Sequence, residues 1–163
     1  MEIYNVIFLL NNTRSRIVLL KRFASARFAP NRWTGIGGHV EKNENITDSV
    51  LRELLEETNI GQKDIQNFRQ VADFTYKPGP YWPQGYRIVY FCAVYDKDKL
   101  PKCTEGILNW VSINTLSRYD IIDDTKAVLK LLRQKEFNLK HSEMLTGKFL
   151  VGKKGVTDHI VLE

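Results

Sequence analysis

The chain has 163 residues, 43% of them apolar, and a formal net charge of +5, which suits one domain around one hydrophobic core. The basic balance favours an anionic partner (nucleic acid, a membrane surface or a phosphorylated small molecule), but the excess is too modest to choose among them. Two cysteines, Cys92 in an apolar run and Cys103 in a polar turn, exclude a disulfide framework and a zinc site of usual spacing, so a reducing, cytoplasmic setting is expected.

At the N-terminus "MEIYNVIFLL" enters an apolar stretch with no basic leader. No apolar run approaches the ~20 residues of a membrane span, so neither export nor insertion is expected. Strand-like runs rich in β-branched or aromatic residues follow at 3–10, 17–22, 68–76, 86–95 and 107–111. "NNTRS" between the first two is turn chemistry and predicts a hairpin, with antiparallel pairing to follow. Residues 47–58 read as a helix with Thr47 as its N-cap, and 124–135 as a second whose Ala127, Val128, Leu131 and Leu132 make one buried face. The loop "KPGPYWPQGY" concentrates proline and glycine before a strand, which predicts a rim. From Lys148 two short apolar stretches flank "GKKG", which predicts a closing hairpin over 148–162. No linker or repeat appears, leaving a single α/β domain over 1–163 with a mixed sheet.

The first helix holds an unusual charge pattern. On a wheel of about 100° per residue counted from Val50, Leu51, Leu54, Leu55 and Thr58 fall with Val50 within roughly 0 to 140°, and Arg52, Glu53, Glu56 and Glu57 within roughly 200 to 340°. Carboxylates three or four residues apart repel by ~0.2–0.5 kcal/mol per pair, and the C-terminal half of a helix is the wrong end of the dipole for anions. No lysine between Lys42 and Lys63 relieves this. A plain solvated face is one reading, and the preceding segment argues for another. Gly35, Gly37 and Gly38 let main-chain groups approach a ligand closely, although no Walker lysine follows them. Hard carboxylate oxygens beside such a loop suit Mg²⁺ or Mn²⁺ carrying a phosphorylated substrate, and the cation would neutralise the cluster.

From Gly38, five residues lead to Glu44 and seven more to Arg52-Glu53, followed by Leu54, one residue, Glu56-Glu57, one residue, Asn59 and Ile60. This spacing resembles the signature of the Nudix hydrolases, which cleave a nucleoside diphosphate linked to another moiety. It departs at Asn59, where the family has glycine. Asparagine is the next best residue for a left-handed helix end, so the turn is expected to survive. The resemblance implies an α/β/α sandwich around a mixed β-sheet. It makes Glu56 and Glu57 the principal ligands of Mg²⁺ or Mn²⁺, and Glu53 a further ligand or the base. Arg52 would orient Glu53, Glu44 would support the cluster, and the Gly37 carbonyl would complete the coordination. In some relatives the base comes from a distal loop, a place that Glu105 in "KCTEGILNW" fits; a simple turn residue is the alternative.

The expected reaction releases pyrophosphate and a monophosphate from a nucleoside triphosphate. The chain is similar to the branch acting on oxidised purine nucleotides in having "RWTGIGG" and the pair Asp123-Asp124, which places Thr34, Gly38 and both aspartates at the substrate. Thr34, however, stands where some members carry a base-reading asparagine, and the aspartates are otherwise a cap for the last helix. Trp33 and Trp82 are candidates for base stacking or for packing. Tyr76 lies where the dinucleoside polyphosphate hydrolases tend to carry tyrosine, which keeps that reading open beside a non-catalytic nucleotide- or RNA-binding module. His39, His141 and His159 suggest no catalytic arrangement. A small nucleotide is the expected partner, with no stable nucleic-acid or membrane binding.

Overall fold

The computed structural model describes residues 1–140, 143–151 and 157–163. Its strands are β1 (Glu2–Leu10), β2 (Arg16–Arg22), β3 (Trp33–Thr34), β4 (Ile36–His39), β5 (Gln66–Tyr76), β6 (Tyr86–Val94), β7 (Gly106–Ser112), β8 (Leu145–Val151) and β9 (Thr157–Leu162). The helices are α1 (Ile46–Thr58) and α2 (Asp123–Gln134), with short 3₁₀ turns at Gln62–Asp64 and Ile113–Arg118. The main path across the sheet runs β3-β2-β1-β6-β5-β8-β9, with β4 on β1 and β7 on β2.

The first hairpin forms as expected, with Leu10 opposite Ile17 and Asn11 Oδ1 accepting from the Ser15 and Arg16 N–H groups at 2.9 Å. The expectation of antiparallel pairing beyond it fails at the centre. β1 runs parallel to β6 from Glu2↔Tyr86 to Leu10↔Val94. The intervening segment contains α1, and a crossover carrying a helix is what brings two strands side by side in parallel.

Near-continuous apolar runs in β1, β2 and β6 reflect a sheet covered on both faces. Phe8, Leu10, Ile17, Leu19 and Tyr90 join Val128, Leu129 and Leu132 of α2 in one core. Ile7, Leu9, Val18, Leu20, Val89 and Phe91 join Val50 and Leu54 of α1 in the other. This is the α/β/α layering the sequence implied. No helix among the described residues is long and apolar enough to cross a membrane.

Three local expectations change. The N-cap of α1 is Asn45 rather than Thr47, its side chain accepting from the Thr47 and Asp48 N–H groups at 2.8 and 3.4 Å. Leu55 lies outside the buried face at 50% exposure, because the helix seats on Val50 and Leu54 and turns Ser49, Glu57 and Thr58 inward. The glycine segment is largely strand: β4 pairs with β1 from Tyr4↔His39 to Ile7↔Ile36. β8 and β9 pair antiparallel, while the "GKKG" connection falls outside the described residues, as does His141.

Candidate functional site

Glycine in a strand interior marks a close approach of another group. A Cβ at Gly37 would lie 2.0 Å from the Asn5 carbonyl oxygen, and one at Gly38 would lie 2.6 Å from the Glu53 carboxylate. These two positions allow β4 to press between β1 and α1. At the far end of α1, Asn59 takes φ 60° and ψ 16° and donates its N–H to the Leu55 carbonyl at 2.9 Å, so the left-handed turn survives without glycine.

Arg52 is the hub of the acidic face. Its guanidinium grips Glu44 bidentately, Nε to Oε1 at 2.6 Å and Nη2 to Oε2 at 3.0 Å, the planar fork geometry that lysine does not offer. Nη1 donates to both Glu53 Oε1 and Glu56 Oε2 at 3.1 Å. Glu44 also accepts from the Glu41 N–H at 3.0 Å, and these donors, Arg52 first, hold its carboxyl down at about 2. The repulsion anticipated from the sequence is thus partly relieved by one arginine, with Glu53 shielded and the Glu56 side chain 60% exposed.

Glu57 is different. It is only 8% exposed, and its Oε2 is buried with no hydrogen-bond partner among the described residues. Burial, then the charges of Glu53 and Glu105, push its carboxyl up to about 8. It lines a cleft of about 660 Å³, a size suited to a nucleotide, whose wall also includes Gly37, Gly38, Arg22 and Glu105. The Thr104 N–H donates to the Glu57 carbonyl at 3.0 Å, which ties the Glu105 loop to the end of α1.

An uncompensated buried carboxylate oxygen is costly unless something positive meets it. Hard oxygen donors at one cleft end fit a divalent cation of the Mg²⁺ or Mn²⁺ kind. Among the described residues no three acidic groups are gathered tightly enough to hold an ion as they stand, because Arg52 retains Glu53 and Glu56.

At the opposite end the wall contains Thr34, Glu2, Tyr4, Trp82, Tyr86 and Asp124. The aspartate pair divides. Asp123 turns to Arg32 at 3.4 Å and is absent from the cleft wall. Asp124 accepts from the Thr125 N–H at 2.6 Å and from the Tyr86 hydroxyl at 3.4 Å, with burial raising its carboxyl above the usual range. Neither caps α2 across its first turn: the cap residue is Ile122, which makes no side-chain cap bond.

Trp33 packs edge-on against Tyr119 at 5.0 Å and does not line the cleft, whereas Trp82 does. Tyr76 is buried and packs against Tyr86 and Phe149 at 4.5 and 4.8 Å, so its ring forms part of the core. His39 is exposed at the cleft margin, edge-on to Tyr4. Sequence reasoning missed Asn5, Arg22, Tyr4, Phe28 and Tyr86. Only Asn5 left a signal, as one amide interrupting "EIYNVIFLL".

A mixed sheet covered on both faces, with a glycine strand clamped under a glutamate-rich helix at a nucleotide-sized cleft, is the architecture of the Nudix class. The NUDIX domain model matches residues 1–132, and the chain belongs to the Nudix hydrolase family, whose members generally use divalent metal ions. The chain is similar to the m7GpppN-mRNA hydrolase NUDT17 of Danio rerio, 46% identical over 55 residues that make up 34% of this chain and 18% of that one. The match thus spans less than a fifth of that relative's length. To an uncharacterized Nudix hydrolase, YvcI, of Bacillus subtilis it is 28% identical over 118 residues, covering 72% of this chain and 70% of the relative. In fold it resembles the MutT protein of Bacillus halodurans, with a TM-score of 0.69 at 18% identity over 100% of this chain and 98% of that one. It also resembles a C. elegans Ap4A hydrolase, with a TM-score of 0.60 at 15% identity over 83% and 97% of the two chains.

Proposed function

We propose that the chain is a Mg²⁺-dependent pyrophosphohydrolase, with Mn²⁺ able to substitute, that converts nucleoside triphosphates to monophosphate and pyrophosphate, oxidised purine nucleotides among them. The observation that supports this most directly is the buried, unpartnered Glu57 Oε2 at one end of a nucleotide-sized cleft. Glu57, Glu56, Glu53, Glu105 and the Gly37 carbonyl are the groups that would hold the cation. When bound, it supplies polarisation of a phosphoryl oxygen and a water acidic enough to attack at neutral pH.

The chain's own residues do the rest. Arg52, fixed by Glu44, orients Glu53, which stands against Gly38 and beside Glu57. Either Glu53 or Glu105 takes the proton of the attacking water, whose oxygen bonds to phosphorus as the bridging P–O bond to pyrophosphate breaks. At the other end Trp82 offers a face for stacking. Thr34 and Gly38 line the cleft wall, and Asp124 presents a carboxylate edge to a base.

A second reading, cleavage of a capped or dinucleoside polyphosphate, is favoured by the 46% match to the mRNA hydrolase. A panel of normal and oxidised nucleoside triphosphates, a cap dinucleotide and diadenosine tetraphosphate, scored by initial rate with Mg²⁺ and with EDTA, ranks these readings. Pyrophosphate as the primary product of a triphosphate supports the first; turnover confined to the dinucleotides supports the second. Mg²⁺-independent binding without turnover would make the chain a binding module.

A further inference from the structure

Asn5 interrupts an otherwise apolar row. Ile3, Ile7 and Leu9 of β1 pack into the core beneath α1, and Asn5, on the same face of the strand, is 1% exposed. A buried amide in such a row is unfavourable unless its hydrogen bonds are made, and a leucine there would fill similar volume without that cost. Asn5 makes them in two directions. Oδ1 accepts from the Gly38 N–H at 3.4 Å, and Nδ2 donates to Ser49 Oγ of α1 at 2.8 Å.

Ser49 is itself fully buried. Its hydroxyl, having accepted from Asn5, also helps to hold the Glu44 carboxylate ionised, the group that Arg52 grips. A polar path therefore runs from Gly38 through Asn5, Ser49, Glu44 and Arg52 to Glu53 and Glu56. Asn5 in it both accepts and donates, an arrangement in which neighbouring bonds reinforce one another. The peptide joining Gly37 to Gly38 is planar and trans, so an N–H drawn toward Asn5 fixes the Gly37 carbonyl pointing the opposite way, off the β4 edge that no strand among the described residues covers. Neither Asn5 nor Ser49 occupies a fixed position of the signature.

We propose that Asn5, acting through Ser49, is a positioning residue that sets the Gly37 carbonyl and the α1 carboxylates in one register for a divalent cation. This rests on the reading of those groups as metal-holding. It separates Asn5 from a core residue: a core asparagine contributes only stability, whereas here the amide contributes alignment at some expense to packing.

The test compares wild type, Asn5→Leu, Ser49→Ala and the double variant by thermal melts in EDTA, by Mn²⁺ binding followed by electron paramagnetic resonance, and by kcat and KM on the best triphosphate. Melting of the double variant in EDTA should stay within about 3 °C of wild type, since removing both partners of a buried polar pair is close to neutral, whereas each single variant strands the other partner and should melt several degrees lower. Mn²⁺ affinity and kcat should each fall by about tenfold or more, with KM changed by less than about threefold. The double variant should resemble the worse single variant, because both act on one chain of contacts. Should Asn5→Leu fail to fold, Ser49→Ala decides alone, since it deletes one oxygen. Mn²⁺ affinity equal to wild type in the folded variants overturns the inference. A wild-type protein that binds no Mn²⁺ overturns instead the proposed function on which it rests.

Discussion

The two ends of the cleft are built in opposite ways. At the acidic end, Glu44, Arg52, Glu53, Glu56 and Glu57 come from fourteen consecutive residues, and helical geometry sets the mutual spacing of the last four. At the aromatic end, Tyr4 belongs to β1, Trp82 to the β5–β6 loop, Tyr86 to β6 and Asp124 to α2, and only the sheet brings them together. A local constellation leaves a readable pattern, while a distributed one leaves isolated residues. Under the proposed function the first end would carry the chemistry and the second the selectivity, and substitutions can separate them.

The largest expected effect is at the acidic end. Glu57→Gln should lower pyrophosphate release by a factor on the order of 10² or more, the scale seen when electrostatic stabilisation of a reacting phosphoryl group is lost. Near-normal turnover would reduce the acidic face to a solvated surface. Glu56→Gln should lower turnover as well, yet the two should differ in EDTA. Glu56→Gln gives up an exposed i,i+4 pair with Arg52 worth ~0.3–0.5 kcal/mol, and Glu57→Gln replaces a buried carboxyl that must keep its proton on folding with a permanently neutral amide, so only the second should raise the melting temperature at neutral pH.

At the aromatic end the effects should be smaller and should fall on discrimination. Asp124→Asn should change the ratio of kcat/KM between purine substrates by about five- to 100-fold, since one mismatched buried hydrogen bond is worth ~1–3 kcal/mol. Asp123→Asn should leave that ratio alone, because its carboxylate faces Arg32 outside the cleft. Equal changes in both variants would erase the division of the pair.

A separate effect concerns pH. Glu57 holds its proton more tightly in the folded chain, where it titrates at about 8, than at its ordinary value of 4.5. The native state therefore binds more protons between those values, and metal-free stability should decline as pH rises through that window. The shift sets an upper bound of about 5 kcal/mol on that decline, on the order of 10 °C in melting temperature, and the slope should flatten in Glu57→Gln. Parallel curves for the two proteins would place the titration elsewhere.

These contrasts also mark what was legible in the sequence. Both helices, the first hairpin and the layering followed from periodicity, and the acidic cluster followed from one helical wheel. The wheel placed Glu57 beside Val50 at the border of the two faces, but only packing shows that it falls on the buried side. β4 was read as a loop because its pairing depends on glycines meeting the β1 backbone, a contact between distant segments. The different fates of Asp123 and Asp124 depend on Arg32 and Tyr86, neither of them near in sequence. Tyr76 and Trp33 show the converse, since aromatic residues noticed along the chain proved to serve the core.

The central claim is that the buried Glu57 carboxylate exists to meet a cation. Thermal melts of wild type and Glu57→Gln at pH 7.5, across a Mg²⁺ titration from EDTA to saturation, test it most directly. A ligand bound only by the native state stabilises by RT ln(1 + [L]/Kd), about 2.7 kcal/mol at one hundred times Kd, so wild type should rise by roughly 5–10 °C. Glu57→Gln should start higher in EDTA and rise little, so that the two curves cross. Curves that stay parallel, or a wild type indifferent to Mg²⁺, would contradict the account.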